Sequence, residues 1–219
     1  MATDAIINVN GDSVQALDVT LLLVTITLLP TLVVMMTSFT RYVVVLSFLR
    51  TAMGTQQTPP NMVLVGLALF LTFFTMSPTL TRIQTEAYEP YLEEEISQEE
   101  AVQRMTVPLK DFMLRNTEAN TMETFLRLSD TPVQENPQDY PLTVVVPAFM
   151  TSELKAGFLA GFLIYLPFLL VDIIVSTTLM SMGMVMLPPA MISLPFKLLL
   201  FVTVDGWELL FESIVTSFR

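Results

Sequence analysis

Residues 62–80 run for 19 positions without a charge, and three other blocks, 16–36, 156–182 and 190–204, are nearly as apolar. A helix that crosses a bilayer needs about 20 predominantly apolar residues, so these blocks meet the length for spanning segments. Only 14% of the chain is charged, against about 25% in an ordinary soluble domain. Its mean hydropathy is +0.62. The composition is that of an integral membrane protein, or of one subunit of a very apolar assembly.

A simple four-span arrangement fits badly. Residues 16–50 contain no glycine and one proline, Pro30, and the apolar block passes into the amphipathic run "SFTRYVVVLSFLR". As a single helix this stretch would reach roughly 52 Å at 1.5 Å per residue, well beyond a hydrocarbon core of about 30 Å. "GTQQTPPN" then supplies Gly54, Pro59 and Pro60, a strong turn signal. The pattern predicts a long helical hairpin over 18–81 after an N-terminal segment, 1–17. A second hairpin is predicted over 147–219. Between them lies a polar section, 82–146, in which acidic residues outnumber basic ones by 13 to 5 over residues 81–140. Ser97 and Glu100 stand in capping-box spacing there, and Asn116-Thr117 divides the section into two shorter helices. The expected fold class is all-α.

Several chemistries are excluded by residue type. There is no cysteine and no histidine, which removes disulfides, iron–sulfur clusters, Ser-His-Asp triads and Cys-His dyads. The net charge of −11 argues against nucleic acid, whose phosphates require lysine and arginine. No enzymatic activity and no cofactor are expected. The opening "MATDAIINVNGDS" lacks a basic stretch followed by an apolar core, so it does not read as a signal peptide. Arg41 and Arg50 precede the first tip and place it on the cytoplasmic side, if the hairpins span.

Charges inside apolar sequence narrow the reading further. Glu153, Lys155, Asp172, Lys197 and Asp205 all lie in or beside hydrophobic stretches. A charge at the bilayer centre costs about 2.5–3.5 kcal/mol on insertion scales. These side chains are therefore expected to face protein, water or a membrane interface. "GFLAG" sets Gly157 and Gly161 four apart, a spacing that lets helices approach closely, within one subunit or between subunits.

The stretch "MSMGMVMLPP" puts methionines at 180, 182, 184 and 186 before Pro188-Pro189. Residues two apart do not share a helical face, so the spacing predicts a helix that ends near Met182 and an irregular tip. Methionine is unbranched and polarizable and adapts to variable neighbours. The thioethers either fill a core or form, in several copies, a ring that seals around a passing chain.

Three stretches together resemble the FliP family of flagellar type III export-gate subunits, related to the SctR subunits of injectisomes. They are "FTRYVVVLSFLRTAMGTQQTPPNMVLVGLALFLTFF" (39–74), "PAFMTSELKAGFLAGFLIYLPFLLVDIIV" (147–175) and "MGMVMLPPAMISLPFKLLLFVTVDGWELL" (182–210). The resemblance implies several copies, a homopentamer within a complex with FliQ and FliR, with FlhB and FlhA nearby. It implies a closed, helically arranged conduit for unfolded flagellar subunits, in the inner membrane of the flagellar basal body and largely on the periplasmic side. It implies a precursor with a cleaved signal peptide, so the start reads as that of a mature chain. Carried onto this sequence, the pore gasket falls on Met184, Val185 and Met186; the family often has three methionines there, and Val185 departs from that. Phe112 and Phe125 are implied near the pore or subunit contacts, and Glu153 in a charge bridge between subunits, with Lys155, Asp172, Lys197 and Asp205 as further inter-subunit charges.

Two other readings compete. A secondary transporter or ion channel would use Asp172, Lys197 and Asp205 as a midplane relay. An intramembrane aspartyl protease would pair Asp172 with Asp205, which lie on opposite arms of the second hairpin.

Overall fold

The computed structural model describes residues 6–9, 12–55, 57–184 and 186–218. It is built from helices, with one short addition at the start. Strands β1 (Ile6–Val9) and β2 (Asp12–Gln15) pair antiparallel, Ile6 opposite Gln15 and Val9 opposite Asp12. The sequence between them is Asn10-Gly11, the dipeptide most favoured in tight hairpins. The fold class is all-α, as the sequence predicts, and this two-stranded hairpin is a small addition to it.

Helix α1 (Ala16–Met35) and helix α2 (Phe39–Met53) are separate, so the overlong first helix is broken at residues 36–38. Thr37 there donates its hydroxyl to the Val34 carbonyl at 3.0 Å, a local bond that competes with helix continuation. Gly54 closes α2 in the left-handed region, φ +77°, as the helix stop requires. Helix α3 (Asn61–Ile83) returns along α2, passes through one π-helical turn at Gln84–Tyr88, and continues as α4 (Glu89–Leu92).

Ser97 opens α5 (Gln98–Asn116) as its spacing predicted: its hydroxyl accepts the Glu100 N–H at 3.2 Å. The chain breaks after Asn116 and resumes as α6 (Ala119–Leu128). The N-terminus of α6 is tied to the next long helix, since Ser152 Oγ accepts the Glu118 N–H at 3.0 Å. That helix, α7 (Leu142–Ser181), has 40 residues and so rises about 60 Å. Helix α8 (Pro189–Thr203) folds back on it, and α9 (Gly206–Thr216) follows after Asp205 in a left-handed conformation, φ 51°.

Helix α2 is the innermost element. Arg41, Tyr42, Val45, Leu46, Leu49, Ala52 and Met53 are buried, the three- and four-residue spacing of one helical face. They pack with Leu64 and Ala68 of α3, Phe168 of α7, Phe201 of α8, and Leu210 and Ile214 of α9. A second core gathers Met76, Phe112, Met113, Leu126, Tyr140, Val144, Val145 and Phe149. Helices α3 and α7 run through both cores. Each fully buried Leu or Phe contributes about 1.5–3 kcal/mol.

The outer faces are another matter. Two helical stretches, Asn61–Leu92 and Leu142–Ser181, are long and apolar enough to cross a membrane, yet only 28% and 11% of their most apolar windows are buried in the chain. Phe70, Phe73, Phe74, Leu163 and Leu170 all point outward. An apolar surface of this extent calls for lipid or further protein.

Candidate functional site

The methionine tip is built by a helix stop. Helix α7 ends at Ser181, and Gly183 takes φ +75°. The Gly183 N–H bonds the Met180 carbonyl and the Met184 N–H bonds the Leu179 carbonyl, each at 3.0 Å. That pair of bonds is a Schellman closure, which needs the left-handed residue that glycine supplies. Pro188 and Pro189 then start α8, proline being suited to a first helical position. The stop leaves Met180, Met182, Met184 and Met186 exposed, Met184 at 41% and Met186 at 98%. Val185, the third residue expected in the gasket, lies outside the described residues.

Behind the tip sits the first charged cluster. Lys197 of α8 is 5% exposed; its ammonium donates to Asp172 Oδ2 at 2.6 Å and to the Ala52 carbonyl at 3.1 Å. The second Asp172 oxygen accepts from Ser193 Oγ at 2.6 Å. Helices α2, α7 and α8 are thereby joined at one point. Asp205 is not part of it: it is exposed, beyond α8, with about 9 Å of helix rise separating Lys197 from Thr203. A catalytic carboxylate pair of Asp172 and Asp205 is thus not assembled, and Asp172 has both oxygens engaged.

The second cluster lies nearer the other end of α2. Arg41 grips the fully buried Glu153 with two bonds, Nε to Oε2 at 2.9 Å and Nη2 to Oε1, the fork geometry peculiar to arginine. Its Nη1 donates to the Ser217 hydroxyl at 2.8 Å and the Ser217 carbonyl at 3.3 Å. The guanidinium lies over the Phe218 ring, 3.8 Å from its centroid. Next along α2, burial pushes the Tyr42 phenol above its ordinary range, against the smaller opposing pull of its hydrogen bond with Thr75. The phenol stays neutral and links α2 to α3.

Gly157 and Gly161 face α2 of the same chain: a Cβ on Gly157 would stand 3.0 Å from Val44 Cγ1, and one on Gly161 2.5 Å from Phe48 Cγ. Lys155 pairs with Glu118 in an exposed bridge between α7 and the start of α6. Phe112 is buried in the second core, edge-on to Phe149 at 5.8 Å, and Phe125 is half-buried against that core. Glu153, Lys155, Asp172 and Lys197 therefore all have partners inside one chain. Among the described residues no three carboxylates gather as a metal site.

Sequence reasoning passed over Ser193, Ser217 and Phe218, and took Arg41 only as a marker of orientation. Arg41 did carry a signal, because it occupies the apolar face of an amphipathic helix, a position that demands a buried counter-charge.

The chain is similar to known proteins along nearly its whole length. Residues 22–214 match the FliP family. The flagellar biosynthetic protein FliP of Pectobacterium carotovorum subsp. carotovorum is 52% identical over 206 residues, 94% of this chain and 79% of that protein. The protein of the same name from Aquifex aeolicus is 50% identical over 211 residues, 95% of this chain and 88% of its own length. That of Bacillus subtilis is 50% identical over 198 residues, 90% of each.

Proposed function

The chain belongs to the FliP family, and from that premise we propose that it is a core subunit of the protein-conducting gate of the flagellar type III export apparatus. Membership makes it a component of flagellar biosynthesis, and its two long apolar helices suit a membrane-associated place. In the proposed gate several copies assemble with FliQ and FliR, beside FlhB and FlhA. Together they enclose a closed conduit for unfolded flagellar subunits. Lipid and neighbouring subunits cover the outward faces of α3 and α7, with much of the complex on the periplasmic side of the inner membrane. No bond is made or broken; the subunit works by shape.

The observation that carries this reading is the tip. A rigid Schellman closure at the end of a 40-residue helix presents Met184 and Met186 to the outside. A flexible thioether so placed seals best when copies converge on an axis, each adapting to its neighbours or to a passing chain. Irregular backbone of this kind is tolerated at membrane depth only against protein or a water-filled passage. The mutual engagement of Asp172 and Lys197 gives these two charged residues a structural task and separates them from Asp205, the third member of a transporter relay.

The test is small-ion leak through membranes holding the assembled gate. Met184→Ala with Met186→Ala should raise leak several-fold while the mass of the extracted complex stays the same. An assembled gate with unchanged leak would overturn the gasket.

A further inference from the structure

The residues after α9 reach back between the two cores. Phe218 lies 5.4 Å from Tyr42 in the first core and is stacked at 6.0 Å on Phe112 in the second. Its face carries the Arg41 guanidinium at 3.8 Å. Ser217, one residue earlier, gives both its hydroxyl and its carbonyl to Arg41 Nη1. The Ser217 hydroxyl donates its own proton to the Ile214 carbonyl at 2.7 Å, which leaves its lone pairs for arginine. With Nε and Nη2 held by Glu153, the guanidinium is fixed on three edges and one face.

We propose that Ser217 and Phe218 are a clasp: they position Arg41 for Glu153 and lock the first core to the second. Arg41 and Tyr42 begin α2, Glu153 lies in the first third of α7, and Phe112 belongs to α5. Phe218 packs against both cores, and with Ser217 it touches all three helices or the arginine that ties them. Helices α5 and α6 also pack directly on α7; the clasp adds a second attachment, from Phe112 of α5 through Phe218 to the start of α2. The clasp is also reachable from outside, because Arg41 and Ser217 line an open cleft of about 620 Å3 with Arg115, Glu118 and Ser152. The inference stands on the chain's own contacts and does not depend on the export reading.

Hydrogen exchange on the full chain in detergent tests it. Phe218→Ala should speed amide exchange roughly tenfold at residues 42–46, 110–116 and 149–153, the scale expected when a desolvated cation–π contact and its packing are lost. Residues 179–192 should be unaffected, and Phe218→Trp should retain the original rates. Acceleration confined to residues 206–218, or spread evenly over the chain, would overturn the clasp. Should Phe218→Ala fail to fold, Ser217→Ala removes the hydroxyl acceptor of Arg41 and its bond to the Ile214 carbonyl, and leaves the Ser217 carbonyl in place. It should give about threefold faster exchange at 42–46 and 149–153, and no change there would count equally against the proposal.

Discussion

Lys197 on α8 donates to the main-chain carbonyl of Ala52, 145 residues earlier, across 3.1 Å. Its ammonium thereby occupies the C-terminal end of α2, where unpaired carbonyls concentrate partial negative charge. The same group holds Asp172 at 2.6 Å. A compact cation with three donors on a long stem can serve two acceptors on different helices, which a planar guanidinium fork does less readily. The first hairpin's tip and the base of the methionine tip are tied through this one side chain.

Lys197→Met should therefore cost about 3 kcal/mol, the low end for a broken buried pair because Asp172 keeps some solvent. For a chain of this size that lowers the thermal midpoint in detergent by roughly 6–12 °C. Adding Asp172→Asn removes the stranded charge and should recover at least half of the loss. A double variant as unstable as the single one would mean that charge pairing is not what the site supplies.

Gly161→Ala should force α2 and α7 apart. The new Cβ would stand 2.5 Å from Phe48 Cγ and 2.8 Å from Phe48 Cβ, and a Cβ is anchored too close to the backbone to swing away. Overpacking of this kind costs about 2 kcal/mol. Gly157→Ala meets Val44 at 3.0 Å and should cost less than half as much. Phe48→Ala placed on top of Gly161→Ala should be less damaging than Phe48→Ala alone, which a double-mutant cycle on unfolding midpoints measures directly.

Met186→Ala should leave the fold untouched, within about 0.5 kcal/mol, because a surface side chain loses no packing on truncation. Its thermal midpoint in detergent should match that of the parent chain. This separates leak through an intact gate from leak caused by unfolding. A clear drop in midpoint would mean that Met186 packs against something in the subunit.

The tip was readable because local chemistry makes it: Gly183 and Pro188-Pro189 stop and restart a helix whatever surrounds them. The same holds for the Ser97 cap and the break after Asn116, where a handful of neighbouring residues decides the outcome. The charged clusters were only half readable. Lone charges in apolar sequence announce that a partner exists, and Asp172 lies only 25 positions from Lys197, but the partner of Arg41 and the second acceptor of Lys197 lie 112 and 145 positions away. One of them is a backbone carbonyl, which no side-chain pattern reveals. The break between α1 and α2 escaped for a different reason: Met36 is a good helix former and Thr37 and Ser38 are only mildly unfavourable, so tertiary packing decides whether the helix continues.

Two neighbours on α7 offer the sharpest contrast. Glu153 is fully buried under Arg41, whereas the Lys155 side chain is 64% exposed beside Glu118. Both make an ion pair, and counting pairs would rank them equal. Solvent does not: water screens the Lys155 pair and would hydrate either partner left behind, so Lys155→Met should change stability by no more than about 0.5 kcal/mol. Glu153→Gln keeps the shape but strands the Arg41 charge in the interior, a loss of about 3–5 kcal/mol. Thermal midpoints of the two variants in the same detergent decide the matter. Equal midpoints would mean that Arg41 reaches solvent when Glu153 is neutral, and the pair would then lose its place as a fixed joint between α2 and α7.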